Sequence, residues 1–155
     1  MPPLPHRLAV ALAVWFGCGR LPWAPGTWGT LGGLPFAWGA LQFGLGAGLA
    51  LTALLFVAGL WASARHMDAT GEDDPPEIVI DEVAGVSFCL CFAPLTPLGV
   101  VAAFLLFRLF DIAKPFPVRR LETAAPGAWG VMLDDMAAGL YSGLCLLLLR
   151  AIGIL

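Results

Sequence analysis

Residues 21–64 read LPWAPGTWGTLGGLPFAWGALQFGLGAGLALTALLFVAGLWASA, without one charged side chain. A helix needs about 20 apolar residues to cross the roughly 30 Å hydrocarbon core of a bilayer. This run has length for two crossings, and Gly44, Gly46 and Gly48 supply a flexible interruption near its middle. The reading is a helical hairpin. A second charge-free run covers 83–107, and Pro94-Leu-Thr-Pro97 divides its surroundings into Ile78–Ala93 and Leu98–Ala113, because paired prolines break a helix. A last apolar segment runs from Val131 to Leu155, set apart by Pro115, Pro117, Pro126 and Gly127. The expectation is an all-α integral membrane helical bundle of about five main helices, two hairpins plus a C-terminal helix, with a short N-terminal helix before them. One domain, 1–155, accounts for the length.

Composition agrees with this assignment. Of 155 residues, 59% are hydrophobic and 12% charged, and the mean hydropathy of +0.87 lies far outside the soluble range. A net charge of −3 gives no basic surface for nucleic acid. The four cysteines, Cys18, Cys89, Cys91 and Cys145, lack C-x-x-C spacing, so neither zinc nor a disulfide framework is indicated. No ten-residue alternating segments suggest a β-barrel.

If each hairpin crosses and returns, the polar segments 20–30, 65–82, 108–122 and 129–135 emerge on one face. Arg108, Lys114, Arg119 and Arg120 crowd one of them, which places that face in the cytoplasm by the positive-inside rule. Every carboxylate side chain lies between Asp68 and Asp135. Asp68, Glu72, Asp73, Asp74 and Glu122 read as parts of solvated connections. Asp81-Glu82 and Asp134-Asp135 instead adjoin apolar helices, where ionised and unpaired carboxylates are costly. A hard divalent cation resolves that cost, and Mg²⁺ suits an all-oxygen site completed by water and a substrate phosphate. Glu77, one helical turn before Asp81, is expected to share its helix face.

Around Asp111, the spacing of Arg108, Asp111 and Lys114 lets the three follow one helical edge, with the cations placed to hold phosphate. Pro22-Trp-Ala-Pro-Gly-Thr-Trp-Gly-Thr30 offers a tight turn at which Thr27 caps a helix or contacts that phosphate. The plainer alternatives are helix capping for the acids, a surface ion-pair ladder for the Arg108 set and a simple turn for the last. His6 and His66 read as ordinary surface histidines. There is no P-loop and no G-x-S-x-G nucleophile.

Four motifs, Ala24-Pro-Gly-Thr-Trp-Gly29, Ile78-Val-Ile-Asp-Glu-Val-Ala-Gly85, Phe107-Arg-Leu-Phe-Asp-Ile-Ala-Lys-Pro-Phe-Pro117 and Gly130-Val-Met-Leu-Asp-Asp135, resemble those of the phosphatidylglycerophosphatase A family in its order. The resemblance implies Mg²⁺-dependent hydrolysis of phosphatidylglycerophosphate to phosphatidylglycerol in the bacterial cytoplasmic membrane. It implies an all-helical multi-pass fold whose site faces the cytoplasm. Asp81, Glu82, Asp111, Asp134 and Asp135 fall on its acidic positions, Arg108 and Lys114 on its basic ones and Thr27 on its turn threonine.

The expected assignment is therefore Asp81, Glu82, Asp134 and Asp135 around the metal. Thr27, Arg108 and Lys114 hold substrate, while Asp81, Asp111, Lys114 and Asp134 take part in catalysis. The partners are the phospholipid substrate and membrane lipids, and the Gly39–Gly48 segment is compatible with a homodimer. A carboxylate-lined ion or proton transporter and a structural membrane subunit are the competing classes.

Overall fold

A computed structural model describes residues 4–116 and 125–155, so Arg119, Arg120 and Glu122 lie outside the described residues. The described chain is helical and contains no strand. The helices are α1 (Leu4–Ala13), α2 (Pro25–Leu41), α3 (Leu45–Thr70), α4 (Ile80–Leu90), α5 (Pro97–Ala113) and α6 (Ala128–Ala151), with a 3-10 segment at Trp15–Arg20.

Local chemistry sets most of these boundaries. Pro25 opens α2 and Pro97 opens α5, where a missing N–H costs nothing, and the Thr96 hydroxyl caps α5 by accepting from Gly99 N at 3.1 Å. The α2–α3 hairpin turns at Gly44 (φ +100°), and α3 ends at Gly71 (φ +74°), whose N–H donates to Met67 O at 2.8 Å.

Helix α4 is the axis of the packing. It touches α2, α3, α5 and α6, and nine of its eleven residues are buried. Its first half shares a core with Leu55, Ala62 and Met132, and its second half one with Ala37, Phe107 and Leu146. Eleven residues span only about 16 Å at the helical rise, so the apolar stretch 78–93 forms a short enclosed helix instead of a full crossing. Glycines permit the close approach. A Cβ on Gly139 of α6 would stand 2.5 Å from Gly85 O of α4, and one on Gly85 would stand 2.7 Å from Asp135 O.

The outer surface is apolar. Leu98, Val101, Leu105, Leu109 and Ile112 form an exposed stripe along α5, and Leu140, Leu144, Leu147 and Leu148 stand out from α6. The interior holds Asp81, Asp134 and Asp135. Buried carboxylates beneath an apolar exterior depart from the usual arrangement of a water-soluble domain. Helices α3 and α6 are each long and apolar enough to cross a membrane.

Glu77 departs from the expectation that it shares a helix face with Asp81. Pro75-Pro76 precedes it and α4 begins only at Ile80, so Glu77 belongs to the connection and faces the other way. It accepts from Arg20 Nε at 3.0 Å and pairs with His66 Nε2 at 2.7 Å. His66 is accordingly buried, not an ordinary surface histidine. Burial pushes the Glu77 carboxyl up, but hydrogen bonds and charge from Arg20 and His66 outweigh it and hold the group below the usual range. A depressed carboxylate adds stability that is present at neutral pH and lost as pH falls through its folded value. Glu77→Gln is therefore expected to lower thermal stability at neutral pH by no more than about 1 kcal/mol for this part-exposed group. That difference should vanish in acid, which melts of both proteins at two pH values would measure.

Candidate active site

Two neighbouring carboxylates open α4. Asp81 is the second residue of the helix and buried, and Glu82 follows it with one more methylene of reach. Helix α6 brings Asp134 and Asp135, both buried, in its second turn. The contact between Gly85 and Gly139 lies one turn beyond Glu82 and Asp135 on their respective helices, and this close approach draws the acids together. Asp81, Glu82 and Asp135 each offer an oxygen, and these oxygens lie within 4.8 Å of one another.

Position at a helix start accounts for only part of this set: Asp81 and Glu82 lie in the first turn of α4, where the helix dipole favours negative charge. Neither α4 nor α6 has a side-chain cap, and Asp134 and Asp135 lie well inside α6. Asp81 Oδ1 and Glu82 Oε2 are buried without a hydrogen-bond partner among the described residues. Unmatched oxygens within a crowd of carboxylates fit a bound cation, which would satisfy both the lone pairs and the charge.

The cations approach from α5. Arg108 Nη1 donates to Asp111 Oδ2, lies 3.8 Å from Glu82 Oε1 and reaches Thr30 Oγ1 at 3.5 Å. Lys114 ends α5 in the left-handed region (φ +40°), just before Pro115, which disfavours the α conformation there. Its Nζ donates to Asp134 Oδ2 at 2.5 Å. Asp134 is thus turned to the lysine while Asp135 faces Asp81 and Glu82, a division between two residues expected to act together on the metal.

These groups line a cavity of about 260 Å³, together with Ala24, Pro25 and Gly26 at the start of α2 and Asp74 to Pro76 before α4. Six carboxylates and two cations face it. The described parts of the four polar segments therefore meet, as parity of the hairpins anticipates. Asp74, exposed in the connection before α4, also lines this cavity. Thr27 is not among the lining residues, and Thr30, one turn further along α2, makes the contact with Arg108.

Gly26, a glycine of the Pro22–Thr30 turn, packs directly against the site. A Cβ there would lie 2.0 Å from Glu82 Oε1 and 3.0 Å from Arg108 Nη1. The sterically obstructing atom belongs to a flexible side chain, so Gly26→Ala should fold but displace the Glu82 carboxylate. A displacement of about 1 Å near reacting groups costs about 10²-fold in rate, to be read from turnover beside an unchanged melting temperature.

The sequence model of the phosphatidylglycerophosphatase A family matches residues 11–150. A phosphatidylglycerophosphatase A of Haemophilus influenzae is 40% identical over 133 residues, covering 84% of this chain and 82% of that protein. The phosphatidylglycerophosphatase A of Escherichia coli is 35% identical, covering 84% and 77%. A Bacteroides thetaiotaomicron protein with a provisional phosphatidylinositol-3-phosphatase name is 42% identical, covering 89% and 91%. No solved structure matches the chain.

Proposed function

The chain belongs to the phosphatidylglycerophosphatase A family, and on that basis we propose that the cavity at the start of α4 is where it removes phosphate from phosphatidylglycerophosphate, with a Mg²⁺ ion held by Asp81, Glu82 and Asp135. The observation carrying this reading is the triad of oxygens within 4.8 Å of one another, two of whose residues hold buried oxygens with no partner among the described residues. Bound there, Mg²⁺ supplies neutralisation of phosphoryl charge and activation of a water for in-line attack.

The chain's own residues supply the rest. Arg108 and Lys114 stand at the cavity wall with charge complementary to a phosphomonoester. Each is oriented by a carboxylate, Asp111 for Arg108 and Asp134 for Lys114. Asp111 therefore serves the guanidinium in this reading, and the first turn of α2 brings its backbone close to the bound phosphate. Asp81 and Asp134, buried on facing helices, fix the positions of the ion and the lysine.

The apolar faces of α5 and α6, with exposed Trp23, Trp38 and Trp129, support a multi-pass bundle in the bacterial cytoplasmic membrane, folded as one domain over 1–155. A cytoplasmic orientation follows from the basic segment beginning at Arg108. In such a bundle α3 and α6 cross the bilayer and α4 is enclosed by its neighbours.

Purified protein in detergent should release phosphate from phosphatidylglycerophosphate and yield phosphatidylglycerol. Phosphatidylinositol 3-phosphate in a parallel reaction tests the specificity suggested by the Bacteroides relative's name. Release only from the inositol lipid would transfer the assignment to that substrate, and release from neither would overturn it. Substrate-independent ion flux in liposomes would favour the transporter reading instead.

A further inference from the structure

A second cavity, of about 760 Å³, lies between α1, the Trp15–Arg20 segment and the end of α3, on the opposite side of Glu77 from the catalytic acids. Arg7 and Arg20 line it along with His6, His66 and Glu77. The carboxylate is already committed to Arg20 Nε and His66 Nε2. Arg7 makes no ion pair among the described residues, and Arg20 uses only Nε in its bond to Glu77, so cationic donors are left over. His66 is buried and its Nδ1 has no partner among the described residues.

Val10 and Val14, on the Arg7 side of α1, and Phe16 make the adjoining lining apolar. Phe16 is 66% exposed, which suits a mouth opening toward lipid. Cations beside an apolar wall match an amphiphile with a phosphate head. We propose that this cavity binds an anionic phospholipid, its phosphate between Arg7 and Arg20 and the start of its acyl chain along Val10, Val14 and Phe16. The site is separate from the reaction centre but bonded to it: Val79 N donates to Ala13 O at 2.9 Å, two residues before Asp81.

Native mass spectrometry of the full chain in detergent, with phosphatidylglycerol or phosphatidylcholine added, tests this. Retention of phosphatidylglycerol over phosphatidylcholine is expected, weakened about fivefold by Arg7→Gln and again by Arg20→Gln, since each surface cation contributes about 1 kcal/mol. Arg108→Gln, which alters only the catalytic cavity, should retain the lipid. Unchanged retention in Arg7→Gln, or its loss in Arg108→Gln, would overturn the proposal. Complete displacement by inorganic phosphate would also overturn it, assigning the site to a free anion. Arg7 is exposed and outside the core, so its variant remains informative if Arg20→Gln fails to fold.

Discussion

Asp135→Asn is expected to raise the Mg²⁺ concentration needed for half-maximal phosphate release by at least about 10²-fold, while Asp134→Asn should leave that concentration unchanged and lower kcat/KM. The two residues are adjacent, but successive side chains on a helix diverge by about 100°. Asp135 joins Asp81 and Glu82, whereas Asp134 bonds Lys114. Loss of groups that merely orient metal ligands costs 10- to 100-fold in metal affinity, so loss of a direct oxygen ligand should cost no less. Removing the anchor of Lys114 forfeits a hydrogen bond between charged groups, about 1.5–3 kcal/mol, or roughly tenfold to a hundredfold in kcat/KM. Metal titrations of both variants separate these effects, and identical shifts in Mg²⁺ dependence would refute the division of roles.

Gly139→Ala should lower stability and turnover together. Its Cβ would stand 2.5 Å from the Gly85 carbonyl oxygen, a backbone atom that cannot rotate away. Alanine favours a helix over glycine by about 0.5–1 kcal/mol, but overpacking costs about 1–3 kcal/mol, and here the whole of α4 or α6 must move. Because Glu82 and Asp135 sit one turn from this crossing, turnover should fall with the melting temperature. Gly39→Ala is the control: a Cβ there meets nothing within 4 Å, so only the helix preference acts and stability should hold or rise. Equal melting temperatures for the two variants would contradict the close-packed crossing.

Much of this architecture is legible in the chain because charge is so unevenly distributed along it. The uncharged 21–64 run does become two helices with a glycine turn at Gly44, and Pro94 to Pro97 does separate α4 from α5. The carboxylate pairs also announce themselves, since adjacent acids beside apolar helices are costly unless partnered. Depth was less legible. The 78–93 segment has the composition of a crossing, yet its helix is short because Ile78 and Val79 remain in the entry and residues 91–93 in the exit.

Glu77 departs from its local pattern for a related reason: its spacing to Asp81 matches one helical turn, but Pro75-Pro76 delays the helix until Ile80. His66 and Glu77 are brought together by the bend after Gly71, a tertiary contact that no local period encodes. Thr30, one turn beyond Thr27, meets Arg108 across helices far apart in sequence, a contact that no local spacing encodes. Gly26, by contrast, left a readable trace in Ala-Pro-Gly, where a helix start without a side chain suits a close neighbour.

The most direct test of the central claim is phosphate release from phosphatidylglycerophosphate by purified protein stripped with EDTA, before and after Mg²⁺ is restored. Expected are silence in the stripped protein, recovery with Mg²⁺, and little recovery in Asp81→Asn at the same Mg²⁺ concentration. Full activity in the stripped protein, or in Asp81→Asn, would contradict a metal site at the start of α4.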